Sequence, residues 1–435
     1  MSATLLRGRT LSFRDIPQSH DDEASYVYEE DGAVVVRDGL IAASGSYEQV
    51  RARFADADVV DHRPHLILPG FIDTHLHFPQ AQVIGSFGTK LLDWLNTYTF
   101  VEEQKFADPT HCERMATHFF DNLLRNGTTT AVAYCSVHKA SADAFFTEAE
   151  RRNLRMVGGK VMMDRNAPDA LCDTPQSAYD DSKDLIAAWH GRGRALYAIS
   201  PRFAITSTPT QLEMAQALAA EHPECYLQTH LSENQAEIEL TLELYQSARD
   251  YLDVYEMYGL LGEKSLFGHC LHLGGRERAA MAETGSVAVF CPTSNLFLGS
   301  GLFDEDGLRE HGVRTAIATD IGGGTSYSML KTLDEAYKVL QLKNQVLNPL
   351  KSFFMMTLGN ARALQLDHQI GTLEEGSEAD LVVLNSQATA AMSLRMETVR
   401  TLSEELFVLQ TMADDRAIAD VYAAGKARHP DISDR

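Results

Sequence analysis

Short β-rich runs alternate along the chain with stretches of helical periodicity. The runs are Leu66–Ile72, Thr129–Val137, Met156–Met163, Ala195–Ile199, Cys225–Thr229, Ser265–Cys270, Val287–Cys291 and Thr315–Thr319. Between them Pro209–His222, Asp250–Leu261 and Met329–Leu340 read as helices. The clearest start signal is at Thr208, which forms a predicted capping box with Gln211 and has Pro209 at the first helical position. Leu212, Ala215, Leu218 and Ala219 then share one face. Strands alternating with helices pair in parallel, and eight of them close a (β/α)8 barrel.

The two ends have a different pattern. Asp38-Gly39 sits between two apolar runs, a hairpin signal. Gly371–Leu384 reads as a turn followed by a strand. The predicted architecture is therefore α/β: a TIM barrel over residues 68–370, with a small β-sandwich domain assembled from 1–67 and 371–435.

Polar and ionisable residues collect where the apolar strands end, the position of barrel active sites. The first strand ends in Asp73-Thr74-His75-Leu76-His77, the fourth in Ser200-Pro201-Arg202-Phe203 and the fifth in Thr229-His230-Leu231-Ser232-Glu233. The sixth ends in Gly268-His269-Cys270-Leu271-His272 and the eighth in Ala318-Thr319-Asp320. Only a closed barrel brings all of these ends to one point. His75 and His77 are two apart and share a face of the strand. With His230 and Asp320 from across the mouth they make a ligand set for a borderline metal such as zinc.

Glu233 follows His230 by three residues, so the chain has to turn for both to face the site. A carboxylate placed there takes and returns protons as general base and acid. His269 is expected to hydrogen-bond the attacking oxygen rather than bind metal, and Asp320 to share in proton transfer. Glu237 and Glu239 read as solvated, His272 as a rim residue, and His111, His118, His138, His190 and His222 as bystanders.

Charge narrows the partners. There are 38 Lys+Arg against 61 Asp+Glu, a formal charge of −23, which disfavours nucleic acid and anionic membrane surfaces but not an uncharged base. The six cysteines are scattered without a C-x-x-C pair, and they read as bystander thiols in a reducing compartment. No apolar stretch suits a signal peptide or a membrane span, so the expected location is cytoplasmic. There is no G-x-S-x-G, H-E-x-x-H, P-loop or dinucleotide fingerprint. His111-Cys112-Glu113 lacks the P-C-x-x-C partner of the cytidine-deaminase zinc site.

Pro69-Gly70-Phe71-Ile72-Asp73-Thr74-His75-Leu76-His77 resembles the first-strand signature of the amidohydrolase superfamily, and the resemblance spans essentially the whole chain. His-x-x-Glu after strand five is similar to its mononuclear deaminase branch. Strand four lacks the bridging lysine of binuclear members, Lys160 lying on strand three. Phe78-Pro79-Gln80, Leu91–Asn96, Arg125–Thr130, Gly159–Pro168, Ser200–Phe203 and Cys291–Asn295 resemble the members that convert guanine to xanthine and ammonia. That resemblance implies Gln80, Trp94, Arg202 and Phe203, with His269 and Asp320, around the purine. It further implies one zinc or iron per subunit and a homodimer. It leaves Asp164 and Asn166 without a role. The competing readings are a deaminase of another nucleobase or of S-adenosylhomocysteine, an amide or chloro-group hydrolase of the same superfamily, and a non-catalytic barrel scaffold.

Overall fold

The computed structural model describes residues 3–88 and 91–428. The chain opens with β1 (Thr4–Phe13), β2 (Tyr26–Arg37), β3 (Leu40–Ser46) and β4 (Asp58–Pro69). It continues through β5 (Phe71–His77), β6 (Thr128–Tyr134), β7 (Arg155–Gly159), the two-residue β8 (Val161–Met162) and β9 (Ala195–Pro201). Then come β10 (Tyr226–Leu231), β11 (Ser265–His269), β12 (Val287–Phe290) and β13 (Arg314–Ile317), and finally β14 (Leu381–Leu384), β15 (Ile418–Ala423) and β16 (Lys426–Ala427).

Strands β5, β6, β7, β9, β10, β11, β12 and β13 run parallel in that order, with β8 beside β9. The remaining strands form one mixed sheet in the order β16-β15-β14-β4-β1-β2-β3, so both chain ends meet in it. The Asp38-Gly39 hairpin joins β2 to β3, and both turn residues have positive φ, 54° and 84°. β1 and β4 pair in parallel, and the other pairs of this sheet are antiparallel.

Three details depart from the sequence reading. Leu66–Pro69 belongs to β4 of the outer sheet, and the first barrel strand starts at Phe71. The run Met156–Met163 breaks at Lys160, whose buried ammonium bonds Val161 O at 3.2 Å and the Asp173 carboxylate. The helix Pro209–Glu221 is capped by the Thr208 hydroxyl alone, because the Gln211 amide has no partner. Asp164 accepts from Thr208 N at 2.8 Å and Asn166 donates to Ile205 O at 2.8 Å, so both residues clamp the loops before that helix.

The barrel interior is packed, not open. Ile72, Val132, Val157, Ala198, Tyr226, Leu266, Val289 and Ala316 supply one apolar contribution from each barrel strand, and Leu364 and Ile370 seal the lower end. That leaves the C-terminal ends of the strands as the place for a cavity. Closure between β5 and β13 uses Asn360, which donates to Ile72 O and Ile317 O at 2.7 and 2.8 Å and accepts from Ile317 N at 2.9 Å. Higher up, Asp320 N bonds His75 O at 2.9 Å and His77 N bonds Ile321 O at 3.1 Å. Asn360→Leu removes the side-chain partner of Ile72 O and of Ile317 N, while Ile317 O keeps the Thr74 hydroxyl at 3.0 Å. The substitution is expected to cost about 3–5 kcal/mol, read as a lowered urea midpoint. An unchanged midpoint would show that the seam does not depend on this side chain.

Candidate active site

His75 and His77 lie on β5 and His230 on β10, while His269 ends β11 and Asp320 follows β13. All are buried. The rings of His75 and His230 lie 4.8 Å apart, and those of His77 and His230 are stacked at 5.1 Å. His77 Nε2 and His230 Nε2 face each other at 3.1 Å. Asp320 Oδ1 is 3.5 Å from His75 Nε2 and 3.4 Å from His77 Nε2.

The proton arrangement fits a cation. His230 Nδ1 bonds the Arg202 carbonyl at 2.7 Å, which places its proton there and leaves Nε2 as a lone pair. His75 Nε2 is buried with no hydrogen-bond partner. Burial pushes His75, His77 and His230 well below the ordinary histidine value, so all three are neutral donors. Their ligand atoms lie within 4.8 Å of one another. A second such group joins His75, His269, Asp320 and Cys291. Cys291 is a buried thiol, as expected, and it lies next to the site. Burial, with Asp320 and Asp73 nearby, pushes its thiol well above the ordinary cysteine range, which keeps it protonated.

Left-handed residues end the strands. Ser232 (φ 50°) turns the chain after His230, as the spacing of His230 and Glu233 required; His269 (φ 72°) and Asp320 (φ 52°) turn β11 and β13 in the same way. Glu233 Oε2 consequently lies 3.4 Å from His269 Nε2. Burial, aided by the Asp320 charge, raises Glu233 to about 8; burial raises Asp320 to about 6. Ser300 Oγ donates to Glu233 Oε1 at 3.2 Å, and the Asn295 amide oxygen meets His269 Nδ1 at 2.9 Å. Glu237 corrects an expectation. It is fully buried, accepts from the backbone N–H groups of Glu233 and Asn234 at 2.8 and 3.0 Å, and receives the Tyr251 hydroxyl at 2.7 Å. Glu239 is exposed as expected.

These groups floor a cavity that is also lined by Gln80, Trp94, Arg202 and Phe203. Every residue expected to bind metal, move protons or hold the purine lines it except His75. Sequence reasoning missed Tyr134, whose buried ring stacks on His77 at 4.7 Å, and Glu103, which bonds both Gln80 and Arg202. Asn295 stood inside a quoted motif without a role. Ser300 and Glu103 have no local sequence signal, because their partners are 67 and 99 residues away. Gly268 is also part of the construction. A Cβ there would lie 2.5 Å from His75 Cε1. Gly268→Ala is therefore expected to displace His75 and lower metal affinity by about 10- to 100-fold, measured by metal competition with a chelating dye. Wild-type affinity would refute that constraint.

The amidohydrolase family model matches residues 66–428, and a bacterial imidazolonepropionase-like composite domain matches residues 32–57. The chain belongs to the amidohydrolase family. It is 45% identical over 420 residues to the guanine deaminase of Escherichia coli K12, covering 95% of this chain and 96% of that protein. The solved E. coli guanine deaminase structure superposes with a TM-score of 0.96 at 44% identity, over 98% of this chain and 99% of that one. The guanine deaminase of C. acetobutylicum, solved with guanine bound in its active site, gives 0.88 at 27% identity over 98% and 100%. Among the described residues no helix is long and apolar enough to cross a membrane.

Proposed function

We propose that this chain deaminates guanine hydrolytically, giving xanthine and ammonia. The observation that carries the reading is one cavity. Its floor joins the His75–His77–His230–Asp320 cluster to Glu233 and His269, and its wall carries Gln80, Arg202 and Phe203. His75, His77, His230 and Asp320 would hold one divalent metal, zinc before iron. When bound, the metal supplies Lewis-acid activation of the attacking water.

The chain's own groups do the rest. Glu233 takes one proton of the attacking water and delivers it to the ring nitrogen beside C2. Burial favours the protonated form of this carboxyl, which suits a group that holds a proton between the two transfers. His269, its Nδ1 held by Asn295, presents Nε2 to the oxygen added at C2. Asp320 takes the second water proton and returns it to the amino nitrogen. The C2–N bond then breaks and ammonia leaves.

Arg202 suits a base that offers O6 and N7 as acceptors, and the free carbonyl oxygen of Gln80 suits an N–H beside them. Phe203 and Trp94 suit the ring face. Residues 70–370 hold the catalytic barrel in this reading, 3–69 and 371–428 the accompanying β domain, and two copies the working unit.

The test is guanine-to-xanthine absorbance, ammonia release and metal analysis on one sample. Stoichiometric metal with both products supports the reading. Bound metal with no guanine turnover would leave the family assignment intact and sink the substrate.

A further inference from the structure

Glu103 ends the short helix Phe100–Glu103 behind two residues of the cavity wall, Gln80 and Arg202, and its side chain is almost fully buried. Its Oε1 accepts from Gln80 Nε2 at 2.9 Å and from Arg202 Nη1 at 3.0 Å, and its Oε2 accepts from the same Nη1 at 2.7 Å. Arg202 is also buried, with its guanidinium 5.4 Å from the Phe100 ring centroid.

Two features of this knot are unusual for a structural ion pair. A buried pair recovers its desolvation cost only with good geometry, and arginine does best through its two-pronged fork. Here a single nitrogen carries the pair. Among the described residues Nε and Nη2 of Arg202 have no protein partner, and neither does the Gln80 carbonyl oxygen. None of these three atoms is a sealed orphan, and both side chains line the cavity. One carboxylate thus takes one N–H of the glutamine amide, which fixes the end that faces it, and one prong of the arginine. It leaves the glutamine carbonyl oxygen as an acceptor, and the second amide N–H with the arginine Nε and Nη2 as donors.

We propose that Glu103 is a specificity-determining positioning residue. It fixes Gln80 as an acceptor and Arg202 as a donor, so that together they read an N–H and a carbonyl on the purine. Without the carboxylate the Gln80 amide is free to present either end, and Arg202 loses its counter-charge. This inference rests on the reading that the chain deaminates guanine.

The test compares guanine with 2-aminopurine, which keeps the C2 amino group but lacks O6 and the N1–H. Wild type, Glu103→Gln and Glu103→Asp are assayed for kcat and KM with both bases, and metal content and melting temperature are recorded. Where 2-aminopurine is not turned over, its inhibition constant against guanine takes the place of KM. Glu103→Gln is expected to lose at least about 100-fold in kcat/KM on guanine, mainly through KM, with only a few-fold change for 2-aminopurine. A parallel fall for both bases, or no fall, overturns the inference.

Should Glu103→Gln not fold, Glu103→Asp decides. Its carboxylate is one methylene too short to serve both partners, so a partial collapse of the guanine preference is expected and an unchanged preference refutes it. A wild-type protein that makes no xanthine would overturn the functional reading. One that makes xanthine while the variants keep its preference would overturn only the role of Glu103.

Discussion

Glu233→Gln is expected to keep a full complement of metal while kcat falls by about 10³- to 10⁴-fold, the upper range for a positioned proton donor and acceptor. The expectation follows from the placement of the carboxyl. Ser232 in the left-handed region swings it off the strand, Glu237 ties down the Glu233 backbone N–H, and Ser300 bonds one carboxyl oxygen. The other oxygen faces His269 at 3.4 Å. Glutamine matches this shape and accepts the Ser300 bond but carries no transferable proton, so binding of the base survives and KM changes little. Stopped assays for xanthine with metal analysis of the same preparation check it. A variant within about tenfold of wild type would remove Glu233 from the proton path.

His230→Ala is expected to abolish activity by a different route, through loss of the metal. Its Nε2 lone pair faces the cluster because the Arg202 carbonyl holds the proton on Nδ1. Removing the ring deletes one ligand of four and opens a void beside the stacked His77 and Tyr134 rings. Metal affinity should fall by at least about 100-fold. The melting temperature should fall toward that of chelator-treated wild type, since a ligand bound only by the native state adds to its stability. Excess metal should restore little turnover, because the cluster stays one ligand short while the Arg202 carbonyl keeps its bonds from His230 N and Thr229 Oγ1. Full metal occupancy in His230→Ala would overturn the ligand set.

The two variants separate the functions of neighbouring residues. Glu233→Gln leaves a loaded but slow protein; His230→Ala leaves one that cannot be loaded. They meet at Asp320, which lies 3.4 and 3.5 Å from the histidines and 3.9 Å from His269 Nε2.

Much of the site was legible in the sequence because it rests on short-range rules. His75 and His77 share a face by the two-residue period of a strand, and apolar runs ending in ionisable residues mark the mouth of a parallel barrel. The turn after His230 followed from the need for both His230 and Glu233 to face inward. The Asp38-Gly39 hairpin followed from residues that accept positive φ. The first strand was misplaced because Leu66–Pro69 and Phe71–His77 are consecutive apolar runs, and composition cannot tell which sheet each joins. Tertiary pairing with β1 and β14 decided it.

Glu237 shows the same limit in one residue. A glutamate in the segment after strand five reads as solvated, yet Tyr251 and the Glu233 backbone enclose it. Sequence alone determined the parallel barrel and the placing of histidines and carboxylates at its strand ends, because both depend on residue type at short spacing. Only the tertiary structure decided that Glu103 joins Gln80 to Arg202, that Gly268 makes room for His75 and that Asn360 closes the seam. These contacts join residues distant in sequence, and whether a polar group finds a partner or a ring finds room is settled only when the strands close around one centre.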